Sequence, residues 1–327
     1  MPPEPLVSAI LPAYNAEKTI QGAIHSVLEQ TVCALEVIVV DDASIDGTVR
    51  QIEAIPDPRI RLLRLKRNSG PATARNVGIK NARGRWIAFV DADDEWVADR
   101  LEHLLKAAGD SECFVTDWLV ACCLGRNGRL TPCEFMAPLP QPEVEDFDYG
   151  KFIRWRKCIF GMVPRDVLTR SGIAFPEWTG GAEWGLLIPH LAAYGIPGKM
   201  LHRFGYRCLV TGAHRSSTLL STQEQLRMAE FLAADPATPQ TARELFAREA
   251  VEKRKRLLVA AARERKWRAF VGYAAKHPEH LVSLLAIVLR FLGRRILFLY
   301  ASAVLAGSSR RPAQVVAKEP SRHASSA

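Results

Sequence analysis

The sequence predicts an α/β protein in which helices flank a mostly parallel, doubly wound sheet and a helical appendage follows at the C-terminal end. Two observations carry this prediction. Short apolar runs of the kind found in buried parallel strands recur between residues 7 and 121. The stretches between them place apolar residues at helical spacing, as at positions 20, 23, 24, 27 and 28. Alternating strands and helices favour parallel pairing through right-handed crossovers.

The first part of the chain keeps this alternation throughout. Strands are predicted at residues 7–14, 36–40, 60–65, 86–90 and 113–121, and helices at 17–30, after 47, at 72–82 and at 101–108. Turn residues separate them, since Ser44 or Asp46 is a suitable N-cap for the second helix and Gly84 ends the third. This order places the loops that follow the strands on one edge of the sheet.

The second part is less regular. Residues 125–148 contain four prolines and form a loop region long enough to be a lid or an acceptor platform. Helices are predicted at 165–171, ended by Gly172, and at 183–194, interrupted by Pro189, with a late strand at 200–210. We expect a catalytic domain at 1–220, a basic and apolar helical region at 221–307, and a disordered tail at 308–327.

Composition bounds the class of protein. The chain has 327 residues, 48% of them apolar and 24% charged, which suits one large α/β domain with an appendage. Seven cysteines without a C-x-x-C pair disfavour a zinc site, and several lie in apolar runs, as reduced cytosolic thiols do. Residues 6–11 have no basic segment before them and indicate a first strand rather than a secretory signal. We therefore expect a cytoplasmic protein.

Three acids follow the fourth predicted strand directly. Asp91, Asp93 and Asp94 would lie at the carboxyl end of that strand, where open α/β sheets bind ligands. Clustered carboxylates repel one another, and Mg²⁺ or Mn²⁺ offsets the repulsion while taking one or two carboxylates plus substrate phosphates. The alternative is a solvated acidic turn that caps the next helix through Asp94 or Asp99.

Other polar residues are predicted at the same edge. Tyr14 ends the first strand, Asp42 the second, and Arg75 lies in the first turns of the helix after Gly70. A carboxylate can accept hydrogen bonds from a base or ribose, and both arginine and a helix N-terminus favour phosphate. Each residue alone has an ordinary explanation as a turn former, an ion pair or a packing residue. Together they indicate a nucleoside-diphosphate site.

The chain resembles the family 2 glycosyltransferases, which have the GT-A (Rossmann-like) fold. The resemblance covers about residues 5–105, with a weaker match over 165–195. It rests on the order and spacing of four stretches: 12–15 (PAYN), 39–48 (VVDDASIDGT), 68–78 (NSGPATARNVG) and 84–94 (GRWIAFVDADD). It is closest in style to bacterial enzymes of exopolysaccharide synthesis, such as those that build succinoglycan.

The resemblance implies roles for individual residues. Pro12 and Tyr14 would line the nucleotide base pocket, Asp42 would hold the uracil or equivalent base, and Arg75 would lie near the nucleotide. Asp91 and Asp93 would form the D-x-D pair, which binds the divalent cation and contacts the donor, with Asp93 the stronger metal ligand. The implied reaction is inverting transfer of a sugar, with a UDP-sugar as the expected donor.

An inverting mechanism needs a general base on the acceptor side. Family members carry it in a Glu-Asp motif before a helix, where this chain has Gly180 to Trp184. Glu183 falls at that position and is the predicted catalytic base, although the residue before it is Ala182 rather than an acid. Its alternative role is that of a glutamate at a helix N-terminus. Three histidines are further candidates: His190, His202 and, in a polar loop after the late strand, His214.

The C-terminal third carries most of the +9 net charge, with eleven Lys/Arg against four Asp/Glu between residues 243 and 276. Residues 281–307 are strongly apolar but contain Arg290, Arg294 and Arg295, which disfavours a simple membrane span because each central arginine costs ~2.5–3.5 kcal/mol. A helix in the plane of an anionic membrane surface, near a polyprenyl-linked acceptor, fits this pattern. The alternative is a helix packed on the catalytic domain.

Two other functions are open at this point. A nucleotidyltransferase would also use a parallel sheet and a metal, but it would carry a glycine-rich basic loop after the first strand, where this chain has Pro12 to Asn15. A non-catalytic, membrane-recruited relative that binds nucleotide sugars is favoured by Ala182. A nucleic-acid partner rests only on the basic C-terminal part, and we do not expect one.

Overall fold

The computed structural model describes residues 4–124, 130–134, 143–149, 161–175, 184–210, 218–234, 240–263 and 271. The chain divides into two compact units, 1–260 and 261–327. Nearly all of the second unit, including the apolar segment 281–307 and the predicted tail, lies outside the described residues. The domain boundaries predicted from the sequence therefore stay a prediction.

The elements confirm most of the predicted ones within a few residues, but the predicted loop region 125–148 contains two strands. The strands are β1 Val7–Ala13, β2 Leu35–Asp41, β3 Ile60–Arg64, β4 Trp86–Phe89, β5 Asp94–Trp96, β6 Phe114–Leu124, β7 Leu130–Glu134, β8 Val144–Asp146, β9 Gly161–Pro164 and β10 Gly198–Val210. The helices are α1 Ile20–Leu28, α2 Thr48–Glu53, α3 Pro71–Asn81, α4 Arg100–Ala108, α5 Arg165–Ser171, α6 Trp184–Ala193, α7 Thr218–Ala234 and α8 Gln240–Arg263.

The described strands form one sheet in the order β3-β2-β1-β4-β9-β6-β10-β5, with β7 on β6 and β8 on β10. From β3 to β4 every pairing is parallel, as predicted. Beyond β4 the sheet is mixed, because β9 runs antiparallel to both β4 and β6, while β6 and β10 pair in parallel. Periodicity identifies strands but not their neighbours, so the insertion of β9 was not predicted.

The apolar runs become the core. Every residue of β1, β2 and β4 is buried, as expected for strands covered on both faces. The edge strand β3 is only partly buried and carries Arg61 and Arg64, charges that discourage pairing with another chain. Buried side chains such as Ile10, Trp86 and Phe89 each stabilise the fold by roughly 1.5–3 kcal/mol.

Gly78 lets α3 lie close to β1. A Cβ added there would lie 2.4 Å from Cγ2 of Ile10, a buried β-branched side chain with little freedom to move. We expect Gly78→Ala to lower the free energy of unfolding by about 1–3 kcal/mol through overpacking. Denaturant titration measures this loss.

Gly22→Ala is the matched control for that helix substitution. Gly22 is exposed in α1, and its added Cβ would meet only the end of the Glu95 side chain, at 3.3 Å. Alanine is the better helix former by about 1 kcal/mol, so this variant should be neutral or stabilised. Equal effects of the two substitutions would contradict close packing of α3 on β1.

The described part of α8 is amphipathic but not uniformly basic on its exposed side. Its exposed stripe alternates in charge through Glu244, Arg248, Glu252 and Arg256, while Phe246, Ala250 and Leu257 are buried. Arg254 pairs with Glu230 of α7 at 2.8 Å. None of the described helices combines the length and the apolar character that a membrane span requires.

Candidate active site

A pocket of about 170 Å³ opens where β1 and β2 end and α3 begins. Its lining consists of Pro12, Ala13, Tyr14, Asp42, Asn68, Gly70 and Pro71. Three of the residues predicted to contact the nucleotide base, Pro12, Tyr14 and Asp42, therefore share one pocket. Asn68 and Pro71 belong to the 68–78 motif, and the sequence predicts no ligand contact for them.

Asp42 is held at the N-terminus of α3. Its two carboxylate oxygens accept hydrogen bonds from the backbone N–H groups of Ser69, at 2.7 Å, and Gly70, at 2.8 Å. Gly70 has φ 89° and ψ 159°, a backbone conformation open essentially only to glycine. A buried carboxylate that lines the pocket thus lies at the positive end of a helix.

The loops after β1 and β2 are hydrogen-bonded to each other. These bonds explain why the 39–48 motif carries short polar side chains. The backbone N–H groups of Asn15, Ala16 and Glu17 donate to the side chains of Ser44, Thr48 and Asp46, respectively. The N-cap position of α2 is Gly47, and the predicted cap Asp46 instead accepts from the backbone N–H of Thr48 at 3.0 Å. These contacts hold together the two loops that bring Tyr14 and Asp42 to the pocket.

Arg75 and Asp91 meet beside this pocket. The Arg75 guanidinium, on the second turn of α3, donates to Oδ1 of Asp91 at 2.5 Å. The same guanidinium lies over the ring of Phe175, with its carbon 5.6 Å from the ring centroid. The Arg75 side chain is buried and the Asp91 side chain is 28% exposed, so the Asp91 carboxylate is the member of the pair that solvent reaches.

The three acids after β4 have different environments. Asp93 is exposed and Asp91 partly so, whereas Asp94 is buried and begins β5. Burial, together with the charges of Asp91 and Asp93, raises the pKa of Asp94 to about 8. Asp94 acts as an internal hydrogen-bonding group, while the N-cap of α4 is Asp99.

Asp91 and Asp93 suit a hard divalent cation. Asp91 and Asp93 follow β4, and Asp42 follows β2. One strand, β1, lies between β4 and β2, so the two strand ends are roughly 10 Å apart. Among the described residues no group of three or more His, Cys, Asp or Glu forms an all-protein metal cage. Two carboxylates at an open edge fit an ion of the Mg²⁺ kind, which takes its other ligands from phosphate and water.

The remaining predicted residues are Glu183 and three histidines. Glu183 and His214 are outside the described residues, although α6 begins at the residue after Glu183. His202 on β10 accepts a hydrogen bond from Trp118 at 3.2 Å and lies 3.1 Å from Glu145, which explains it as part of the packing between β6, β8 and β10. His190 is half-buried on α6.

Two contacts near the site were not predicted from the sequence. The Asn76 side chain exchanges two hydrogen bonds with the backbone of Phe175, at 2.7 and 2.8 Å, and so attaches α3 to the chain after α5. The Tyr206 hydroxyl contacts the backbone of Asp91 and the carboxylate of Asp94. Both contacts join residues about a hundred positions apart, so local sequence patterns do not predict them, although Asn76 follows Arg75 in the 68–78 motif.

Comparison with known proteins agrees with this arrangement. Residues 8–155 match the family model "Glycosyl transferase family 2". This part of the chain is a family 2 glycosyltransferase domain. The matched residues contain the pocket lined by Tyr14 and Asp42, Arg75 and the D-x-D acids, whereas Phe175 and Tyr206, which contact this site, lie beyond residue 155.

Two curated relatives extend the similarity. The succinoglycan biosynthesis protein ExoO of Rhizobium meliloti (strain 1021) is 45% identical over 198 residues, 58% of this chain and 57% of that protein. The Escherichia coli protein WfgD, named as a UDP-Glc:alpha-D-GlcNAc-diphosphoundecaprenol beta-1,3-glucosyltransferase, is 50% identical over 97 residues, 30% of this chain and 38% of that protein. The chain thus spans less than two thirds of the length of each relative.

A solved structure confirms the fold. Staphylococcus aureus TarS 1-349 in complex with UDP-GlcNAc has a TM-score of 0.54 and 20% identity, covering 87% of this chain and 80% of that chain. At this identity the likeness concerns architecture, namely a GT-A sheet flanked by helices.

Proposed function

We propose that this protein transfers a sugar, with inversion, from a nucleotide-diphosphate donor to a saccharide or lipid-linked saccharide during synthesis of a cell-surface polysaccharide or exopolysaccharide. The observation that carries the proposal is the arrangement of Asp42, Arg75 and Asp91 around α3. One short helix begins at the pocket that contains Asp42 and, one turn later, presents the arginine that pairs with Asp91.

The donor is proposed to be a UDP-sugar. Pro12 and Tyr14 would flank the base, and Asp42 would accept a hydrogen bond from a base N–H, since a carboxylate offers only acceptors. Arg75 would turn toward the diphosphate, where a planar guanidinium binds phosphate oxygens in pairs. The names of WfgD, with UDP-Glc, and of the TarS complex, with UDP-GlcNAc, support this donor class.

Asp91 and Asp93 would hold Mg²⁺ or Mn²⁺ at the edge of the sheet. The bound cation supplies Lewis-acid stabilisation of the leaving diphosphate. The chain's own residues provide the rest: Arg75 adds positive charge at the phosphates, and Glu183 would take the proton of the acceptor hydroxyl as it attacks from the opposite face of the sugar.

The acceptor is proposed to be linked to a polyprenyl lipid, with the protein peripheral at the inner face of the cell membrane. Support comes from the diphosphoundecaprenol acceptor in the name of WfgD and from the surplus of basic residues between 243 and 276. Segment 281–307 would provide the apolar contact with the membrane surface.

Asp42→Asn tests the donor site. The substitution replaces a carboxylate oxygen with an NH₂ group that faces a backbone N–H, and it removes a charged acceptor from the pocket, so UDP affinity should fall by about 10–100-fold. Uridine affinity should fall by the same factor, because the lost contact lies on the base side. Calorimetric titration of both ligands measures the two losses.

Asp41→Asn is the matched control. Asp41 is the preceding buried aspartate, accepts from the Ser44 N–H at 3.3 Å, and does not line the pocket. Its replacement should leave uridine affinity nearly unchanged. Equal losses in the two variants, or unaltered uridine binding in Asp42→Asn, would contradict a base-binding role. Donor binding without transfer to any lipid-linked acceptor would favour the non-catalytic relative.

A further inference from the structure

Tyr206 lies between two of the acids that follow β4. Its hydroxyl accepts a hydrogen bond from the backbone N–H of Asp91 at 3.1 Å and donates one to Oδ2 of Asp94 at 2.9 Å. The side chain is 1% exposed. One hydroxyl therefore spans the turn from Asp91 to Asp94 and contacts both of its ends.

The rest of β10 reinforces this turn. Tyr206 and Cys208 pair with Trp96 and Asp94 across the antiparallel β5–β10 ladder. The backbone N–H of Leu209 donates to Oδ1 of Asp94 at 3.0 Å. Both oxygens of the Asp94 carboxyl group are thus bonded to β10, so this buried acid attaches the turn to a strand from a distant part of the sequence.

A buried ion pair holds the Tyr206 ring. The Arg100 guanidinium carbon lies over two aromatic rings, 4.9 Å from the Trp96 centroid and 5.1 Å from the Tyr206 centroid. Asp117 binds that guanidinium through Nε at 2.9 Å and Nη2 at 2.9 Å. Stacking of this kind is favourable when desolvated, so the ring of Tyr206 has little freedom to shift.

A phenylalanine would fill the same apolar space, so packing alone does not account for the hydroxyl. A buried hydroxyl is costly unless it is bonded, and here its bonds go to the turn that contains Asp93. Hydrogen bonds outside the ligand set commonly orient metal-binding carboxylates, and their loss typically weakens metal affinity by about 10–100-fold.

We propose that Tyr206 is a positioning residue of the donor site. Its hydroxyl fixes the Asp91–Asp94 turn and so aims the carboxylates of Asp91 and Asp93 at the cation and diphosphate. This inference rests on the proposed function, because it assumes that those two acids bind a cation together with a nucleotide.

The test compares UDP binding by the full-length protein and its Tyr206→Phe variant, with Mn²⁺ and with EDTA. We expect Tyr206→Phe to weaken UDP binding in Mn²⁺ by about 10–100-fold and to leave binding in EDTA within about twofold of wild type. A residue that only supports the fold would change both affinities together. Calorimetric titration gives the dissociation constants, and thermal unfolding verifies that the variant is folded.

Tyr149→Phe is the matched control. Tyr149 is half-buried, packs edge-on against Phe147 with centroids 4.9 Å apart, and lies next to Gly198, at the opposite end of β10 from Cys208. It should leave both affinities unchanged. Unchanged Mn²⁺-dependent binding in Tyr206→Phe, or an equal loss in EDTA, would overturn the inference. Failure of wild-type protein to bind UDP in either condition would instead overturn the proposed function.

Discussion

Replacing Asp93 with asparagine should lower cation-dependent turnover by about 10²–10³-fold, the equivalent of several kcal/mol of transition-state stabilisation. Asp93 is the exposed member of the D-x-D pair, so its replacement removes a proposed cation ligand without leaving a hole in the core. Hydrolysis or transfer of a UDP-sugar, assayed across a series of Mn²⁺ concentrations, measures the effect. The wild-type rate should fall comparably when EDTA removes the metal.

Asp110→Asn is the control for charge. Asp110 is an exposed aspartate after α4, outside the pocket and the D-x-D turn. It should keep full activity, and neither variant should change the free energy of unfolding by more than about 0.5 kcal/mol. Full wild-type turnover in EDTA, or an Asp93→Asn variant as active as Asp110→Asn, would show that the acids do not hold a catalytic cation.

Asp117→Ala should lower the free energy of unfolding by about 3–5 kcal/mol, because it removes the carboxylate that binds the buried Arg100 guanidinium. Both side chains are almost completely buried, and Arg100 binds Asp117 through two nitrogen atoms. A Cβ on Gly205 would lie 1.8 Å from Oδ2 of Asp117, so the backbone at residue 205 packs directly against this ion pair. Denaturant titration of wild type and variant measures the loss.

Two further variants test whether the loss of stability comes from burial of the ion pair. Asp57→Ala breaks a partly exposed pair with Arg59 and should cost at most about 1 kcal/mol. The double variant Arg100→Met/Asp117→Leu should recover much of the loss, since apolar replacements of buried ion pairs are often neutral or stabilising. A cost for Asp117→Ala no larger than that of Asp57→Ala would contradict our account of this pair.

Local patterns predict the parallel half of the sheet and the convergence of Tyr14 and Asp42 on one pocket. Val7–Ala13 and Leu35–Asp41 are buried runs whose polar neighbours, Tyr14 and Asp42, must emerge at the same edge. This follows because parallel strands present their carboxyl ends together. The Arg75–Asp91 contact is a consequence of the same geometry, although the sequence predicted only their proximity to the ligand.

Features that depend on distant pairing were not predictable. Whether Asp94 faces solvent or the core depends on β10, which pairs with β5 from more than a hundred residues away. The resemblance singles out Asp91 and Asp93 as ligand candidates, but only the pairing with β10 shows that Asp94 is a buried group. The role of Glu183 stays a prediction, since it lies outside the described residues.

The position of β9 has a consequence for biosynthesis. Gly161–Pro164 occupies the place between β4 and β6, yet the ribosome produces it some seventy residues after β4. Until β9 is synthesised, one side of β4 has no strand to pair with. An unpaired strand edge can pair with another chain and so promote aggregation, which chaperones counteract. Translation arrest before residue 164 should therefore yield chains that associate, and arrest beyond β10 should yield chains that do not.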